Sequence, residues 1–501
     1  MAATVYAAAL NGIDADLITI ETRISPGIGY FIVGLPGESV KESLYRVESA
    51  IDSAGLHMPR QKILICMAPA GLRKEGAAFD LPIAVSILAE SGQLTASLEH
   101  TVFVGELSLN GRLRPVRGII AIALKARGCG FAKIIVPNEN GSEAAMVSGI
   151  DVFAFETFGE VIAFLENPSA QPVQPAGHSN NGKAMKYAGD FADIRGQYKI
   201  KRAMEIAAAG GHNLLMIGPP GSGKTMMARR LPTIMPELTS DEALETTKIY
   251  SVCNKLEDGL VSERPFRTPH HTASNIAMVG GGLPVMPGEI SLAHNGMLFL
   301  DELPEFQKRV LEALRQPLEA KTITISRASY NAELPANFLL VAAMNPCPCG
   351  YFGHSTRKCC CSLTLIQRYL RKISGPLLDR IDLQVKVQPV ANEDLMLAGD
   401  GERSEAIAKR VIAARCIQLT RQGSINTSLV PEQLKQHCKL SLADRDILQE
   451  AIQKHQLSAR SYDRILKLAR TIADLAGATD ICLPHLSEAI SLRCLDQDYF
   501  Q

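Results

Sequence analysis

The sequence predicts an α/β protein in three parts: an α+β block, a P-loop core built on a parallel sheet, and a C-terminal block made only of helices. Three observations predict it. From about Lys186 to Pro389 short apolar strands alternate with helices and loops, the pattern that buries a largely parallel sheet between helices. A glycine-rich phosphate-loop motif sits between one such strand and the helix that follows. Beyond the core, "ERSEAIAKRVIAARCIQLTRQ", "SLADRDILQEAIQKH" and "SARSYDRILKLARTIADLAG" carry apolar residues at helical spacing with charges opposite.

With 501 residues, 46% of them hydrophobic and 21% charged, the chain has enough material for several cores. Its formal net charge is zero and it has no Trp. No global basic field therefore advertises nucleic acid, and any such binding must be local. The start "MAATVYAAALNGIDADL" lacks the basic leader and long apolar core of a signal peptide. No apolar run approaches the ~18 residues of a membrane span. The expected location is cytoplasmic, with no membrane partner. There the scattered Cys66, Cys129, Cys253, Cys416, Cys438, Cys482 and Cys494 should be reduced, buried and inert.

Residues 1–166 mix apparent strands such as "KILICMA" and "KIIVP" with helical patterns such as "SVKESLYRVESAIDSAG", where Gly ends the run. "GLPGES", Gly34 to Ser39, looks like half a phosphate loop but lacks the lysine, and reads as a turn before a helix. Residues 167–185 are rich in Pro, Ser, Asn, Gln and Gly with no periodic apolar face, and read as a linker. The core then spans 186–390 and the helical block 391–501, with no internal repeat.

The chemistry concentrates in the core. "HNLLMIGPPGSGKTMMARRL" contains Gly218, Pro219, Pro220, Gly221, Ser222, Gly223, Lys224 and Thr225, matching G-x-x-x-x-G-K-[ST] between a strand and a helix. Glycines let the backbone wrap phosphates, Lys224 reaches the terminal ones, and Thr225 supplies a Mg²⁺ ligand. "HNGMLFLDELPEF" places Asp301 and Glu302 at the end of a buried strand. Asp301 would bind Mg²⁺ through water, and Glu302 would polarise the attacking water.

"MNPCPCGYFGHSTRKCCCS", Met344 to Ser362, is the chain's densest run of cysteines. Cys347-x-Cys349 and Cys359-x-Cys361 form two pairs separated by nine residues, enough for a loop to close four thiolates around a tetrahedral Zn²⁺. Cys360 and His354 are spare candidates. Closely spaced thiols can also be redox-sensitive or simply packed. A closed four-thiolate site leaves no open position for chemistry, so a bound metal would act as a clamp.

The P-loop, the "LFLDE" strand, "LLVAAMNP" and "SGPLLDRIDL", in that order, resemble an AAA+ ATPase. That resemblance implies that Asn345 is the sensor that helps position water, and that Arg380 is a finger offered to a neighbouring subunit's ATP. A guanidinium in trans stabilises charge growing in phosphoryl transfer. "LSARSYDRIL" resembles the lid helix with a second sensor, Arg460 in preference to Arg464. "DFADIRGQYKIKRAMEIAAAGGH" resembles the adenine-pocket segment, with Ile194, Gly196 and Gln197 near the base.

Two additions resemble the helix-2 and pre-sensor-1 insertions of the branch that holds magnesium-chelatase ATPases and MCM helicases. They are "RPFRTPHHTASNIAMVGGGLPVMPGEISLAH", with His270 and His271, and the hairpin-like "KTITISRASYNAELPANF". In rings of that branch the insertions face the pore, so Arg264, Arg267, Lys321 and Arg327 could track a phosphate backbone. "GLRKEGAAFDLPIAVSIL" and "VGELSLNGRLRPVRGIIAIALKA" resemble a Lon-type protease domain, but Ala78 and Ile120 stand where its Ser–Lys dyad would be. Neither can serve peptide hydrolysis. Together these features resemble the ComM/YifB family over essentially the whole chain. Membership implies a homo-hexameric, ATP- and Mg²⁺-dependent branch-migration motor acting on single-stranded and branched DNA in natural transformation, with a recombinase as a possible partner. A chelatase-type or protein-remodelling ATPase is the alternative.

Overall fold

A seven-stranded mixed sheet organises the N-terminal block in a computed structural model that describes residues 2–174, 189–256, 259–282, 285–327, 330–354, 357–389, 401–454 and 459–493. Its strands run in the order Gly29–Val33, Lys62–Ala68, Asp14–Ser25, Ala3–Asn11, Thr101–Phe103, Lys133–Pro137 and Asp151–Phe155. The strands expected at "KILICMA" and "KIIVP" are the second and sixth. Because successive strand residues point to opposite faces, Val5 and Ala7 enter one apolar cluster with helices Ser43–Ser53 and Asp80–Glu90, while Ala8 enters another with helix Ile119–Gly128. Gly34–Ser39 is the expected turn: Gly34 has φ +104 and passes so near Met67 O that a Cβ would lie 2.1 Å from it. The ordered block runs past the expected boundary at 166, since the Val173 amide donates to Val152 O at 2.8 Å. Linker residues 175–185 lie outside the described residues.

The core sheet is five-stranded and wholly parallel, in the order Phe266–Arg267, Met297–Leu300, Leu339–Met344, Leu214–Ile217, Leu383–Lys386. Three of the strands, "MLFL", "LLVAAM" and "LLMI", are buried throughout, as a sheet covered on both faces requires. The segment read as hairpin-like pairs Thr322–Arg327 antiparallel with Tyr330–Pro335. Expected helical segments appear as Ser404–Gln422, Leu442–Lys454 and Ala459–Leu475. They form no separate core: Ile407, Val411, Ile465, Leu468 and Ile472 share one apolar cluster with helix Tyr198–Gly210 and the sheet residues Leu214 and Met216. Residues 391–400, at the start of the expected helical block, lie outside the described residues.

The N-terminal block is docked on the core. Ile13, at the turn between the first two strands, is buried in the core cluster beside Ile323, Ile325 and Leu334 of the hairpin. Lys248 pairs with Asp14. No helix among the described residues is long and apolar enough to cross a membrane. Not all the scattered cysteines are buried as expected: Cys438 is, but Cys129, Cys416 and Cys482 are exposed. Cys129 and Cys482 occupy helix caps, where the chain turns at the surface. Cys494 lies outside the described residues.

Candidate nucleotide-binding site

The phosphate loop leaves the sheet at Ile217 and turns through Gly221 (φ +77) and Gly223 (φ +82), a left-handed backbone that favours glycine. Gly218 fits where a Cβ would lie 2.5 Å from Val387 O. The Lys224 side chain folds back over its own loop, donating to Gly218 O at 2.7 Å, Pro219 O at 2.9 Å and Asn345 Oδ1 at 3.2 Å. Burial lowers the pKa of its ammonium, opposed by Asp301 and Glu302. Ser222 Oγ donates to Pro219 O at 2.8 Å and closes the turn.

Thr225 Oγ1 donates to Asp301 Oδ2 at 2.7 Å, so the two residues expected to hold Mg²⁺ are already adjacent. Asp301 Oδ1 accepts from the Glu302 amide at 2.9 Å. Glu302 has φ +51, an uncommon backbone for a non-glycine residue, and its side chain meets a residue that sequence reasoning assigned only to the insertion: His271 Nδ1 lies 3.3 Å from Glu302 Oε2. His270 stacks on the His271 ring at 4.1 Å. The side chains of Lys224, Thr225, Asp301 and Asn345 thus converge at the C-terminal ends of adjacent strands, with Glu302 beside Asp301. Such ends are where open α/β sheets bind ligands.

The expected adenine-pocket residues divide. Gly196 and Gln197 take left-handed backbone conformations, and Gln197 Nε2 donates to Gln388 O, one residue beyond Val387, which borders the phosphate loop. Ile194 instead packs inside the apolar cluster, 1% exposed, so its side chain does not form a base-facing surface.

Arg380 is turned into its own subunit. Its guanidinium donates to Pro376 O at 2.6 Å and Arg315 O at 3.2 Å and pairs with Glu319 Oε1 at 2.6 Å. Arg460 is 63% exposed and lies 3.8 Å from the same Glu319 oxygen. Arg464 is held by Asp382 at 2.5 Å. The two arginines expected to meet phosphate therefore sit together around Glu319.

Two of the four side chains expected to track DNA, Arg264 and Arg267, are held by partners within the chain. Arg264, 9% exposed, donates to Pro236 O, Asn295 O, Glu237 O and Glu242 Oε2 and so ties loop to helix. Arg267 makes a two-point pair with Glu289 at 2.7 and 2.8 Å. Lys321 (φ +62) caps a helix at the hairpin's base, and burial lowers its pKa. The side chain of Arg327 lies outside the described residues.

Cys347, Cys349, Cys359 and Cys361 converge, with all four sulfurs within 4.8 Å of one another. The Sγ separations are 3.3 Å for 347–349, 3.6 Å for 347–359 and 3.5 Å for 349–359, close to the ~3.8 Å edge of a tetrahedron with Zn–S bonds of ~2.3 Å. Backbone amides of Tyr351 and Cys360 face the Cys349 sulfur and lower its pKa to about 6, whereas burial pushes the adjoining Cys347 thiol up to about 12. Of the spare candidates, Cys360 is exposed and its thiol borders Cys349 at the edge of this set, and His354 Nδ1 accepts from the Arg357 amide at 3.2 Å.

Residues 190–395 match the family described as magnesium chelatase, subunit ChlI; residues 20–140 match subunit ChlI of Mg-chelatase, and 401–493 the ChlI C-terminal family. Fold and site define a P-loop ATPase of the magnesium-chelatase type within AAA+. The chain is 46% identical to competence protein ComM of Haemophilus influenzae over 98% of its own length and 97% of that protein. It is 45% identical to the uncharacterised YifB of Escherichia coli over 98% and 97%, and 38% identical to an uncharacterised protein of Mycobacterium tuberculosis over 97% and 98%. It belongs to the ComM/YifB family. Because residues 20–140 match a chelatase family too, the N-terminal block does not separate this chain from chelatase subunits.

Proposed function

We propose that the protein is an ATP-driven DNA motor, a branch-migration helicase that extends heteroduplex during homologous recombination in natural transformation. The observation that carries this reading is the connected set Lys224, Thr225, Asp301, Glu302 and Asn345, in a chain alike over nearly its full length to a protein named for competence. Residues Gly218 to Gly223 wrap the phosphates of ATP. Lys224 exchanges its carbonyl partners for the terminal phosphates, where its ammonium offsets their charge. Thr225 and Asp301 would hold Mg²⁺, which would supply positive charge to offset that of the phosphates. Glu302 takes the proton of the attacking water, and Asn345 orients that water. In a homo-hexamer, Arg380 acts on the neighbouring subunit's site, and Arg460 is the second sensor. The N-terminal block, Lon-like but without a dyad, is a scaffold, and the helical block is a lid. The four-cysteine cluster holds structural zinc.

A second reading, a chelatase-type or protein-remodelling ATPase, is favoured by the inward pairing of Arg264 and Arg267. One experiment separates the two. Purified protein is given ATP and a synthetic four-way junction, with Glu302→Gln as control. The motor reading expects DNA-stimulated hydrolysis and junction movement, both lost in the variant. Hydrolysis with no binding or movement of branched DNA would overturn it.

A further inference from the structure

The cysteine cluster and the phosphate loop are in direct contact. Pro346 alone separates Asn345, the acceptor of a Lys224 bond, from the first sulfur at Cys347. Beyond the second sulfur, Gly350 turns with φ +84 against Pro220: a Cβ there would lie 2.5 Å from Pro220 Cδ and 2.7 Å from Cγ. The cluster's loop and the proline therefore touch with no space for a methyl group.

Beyond the bonds of Lys224 and Ser222 to Gly218 O and Pro219 O, the tip of the phosphate loop has little support. Pro219 and Pro220 carry no N–H, so they cannot be held by donated backbone bonds. Pro220 and Gly221 are exposed, and a Cβ on Gly221 would meet nothing within 4 Å. The Cys347–Gly350 turn is itself closed by the Gly350 amide donating to Cys347 O at 2.9 Å. Cys347 is anchored in the apolar cluster, and the sulfurs of Cys347 and Cys349 are gathered with those of Cys359 and Cys361, ten residues further on from Cys349.

We propose that zinc bound by Cys347, Cys349, Cys359 and Cys361 is a working part of the ATP site. By fixing the Cys347–Gly350 turn it keeps Asn345 toward Lys224 and braces Pro220, so loss of the metal weakens nucleotide binding while sheet and helices stay folded. The inference rests on the zinc reading above. It goes beyond a structural clamp because it assigns the metal an effect on ATP affinity.

The full-length protein is analysed for zinc and iron, and its affinity for a fluorescent ATP analogue is measured as isolated, after treatment with a zinc-selective chelator that spares Mg²⁺, and after zinc is restored. Gly350→Ala is measured alongside, since it keeps every sulfur but drives a methyl group into Pro220. The expected result is about one zinc per chain, as a four-thiolate site holds. Its removal should raise the nucleotide Kd by about tenfold or more, reversed by zinc, with helical circular dichroism retained. Gly350→Ala should keep its zinc and also bind nucleotide more weakly. Absence of zinc, or iron in its place, overturns the zinc reading and this inference with it. Zinc present, but with nucleotide affinity unchanged in Gly350→Ala, overturns this inference alone, whether or not the chelated protein stays folded.

Discussion

Replacing Arg380 by Ala tests whether this side chain is a trans-acting finger or only an internal brace, because the two roles differ in size. As a brace, Arg380 donates to two carbonyls, Pro376 O and Arg315 O, and pairs with the half-exposed Glu319. Losing two part-buried hydrogen bonds from a charged donor costs about 1–3 kcal/mol each. A pair with so exposed a partner adds less than about 1 kcal/mol. The variant should lose about 2–6 kcal/mol of stability and melt several degrees lower, yet remain largely folded at 20 °C. As a finger, Arg380 stabilises the transition state, and its loss lowers turnover by about 10³–10⁵, some 4–7 kcal/mol of barrier. The assay is steady-state ATP hydrolysis at 20 °C on variant confirmed folded by circular dichroism, alone and mixed with Lys224→Ala subunits. Turnover should fall by at least about a thousandfold and recover partly on mixing, since each variant then supplies what the other lacks. A lower melting temperature with turnover within about tenfold of wild type would refute the trans role and leave Arg380 a brace.

His271→Ala removes the ring facing Glu302; kcat should fall about ten- to a hundredfold with little change in KM, the effect of a misplaced catalytic group, and an unchanged kcat would show that the contact does not position Glu302. Arg264→Ala should melt well below wild type because it strips four internal acceptors, while its folded fraction binds single-stranded DNA normally. Arg327→Ala should keep its melting temperature but lose about one unit of salt slope in DNA binding. Filter binding across salt concentrations reads both variants, and an unaltered slope in Arg327→Ala would remove it from the DNA path. Burial raises the pKa of Asp382, but Arg464, His212 and Arg493 outweigh that and hold its carboxyl well below the usual range. The folded state therefore binds this proton more weakly than the unfolded chain. The resulting stability is present above the ordinary carboxylate pKa of about 4 and lost as pH falls below it. Arg464→Ala, which leaves a buried carboxylate poorly paired, should cost about 3–5 kcal/mol at pH 7, and thermal unfolding should show the gap to wild type closing toward pH 3.

What the sequence made legible was whatever local patterning dictates. The phosphate loop, the acidic strand end, the hairpin and the two cysteine pairs are short-range signals, each fixed by a few neighbouring residues, and the structure places them where those signals point. Side-chain partners set by the tertiary fold were not legible. Arg264 and Arg267 read as pore-lining cations because their insertion resembles ones that face the pore in related rings. Their carboxylates, Glu242 and Glu289, each lie 22 positions away. His271 was visible only as part of an insertion, since nothing local ties it to Glu302. Exposure of Cys129 and Cys482 follows from helix ends that the periodicity of their segments does not locate. The contact of Gly350 with Pro220 joins residues 130 positions apart in the chain and has no sequence signature.

The turn that carries Arg380, strand Leu339–Met344 and the phosphate-loop strand meet at one buried residue, Asn213. Its side chain donates to Arg380 O at 3.0 Å and accepts from the Leu340 amide at 2.9 Å, and its backbone amide donates to Asp382 Oδ2 at 3.0 Å. Asp382 in turn accepts from Arg464 on helix Ala459–Leu475, and Arg493 donates to Ile381 O at 2.8 Å. The turn that carries Arg380 is thereby pinned to two strands of the sheet on one side and to the helical block on the other. If Arg380 acts on a neighbouring subunit as proposed, it would do so by rotating its side chain away from Glu319, Pro376 O and Arg315 O, since its own carbonyl is fixed by Asn213. A larger excursion would break bonds to Asn213 and Arg493 together, and buried polar groups left unpaired are costly. The arrangement therefore confines motion at Arg380 to the side chain, or else moves sheet end and helical block as one. The second course is the kind of coupled displacement a ring motor needs if hydrolysis at one subunit is to reposition the next.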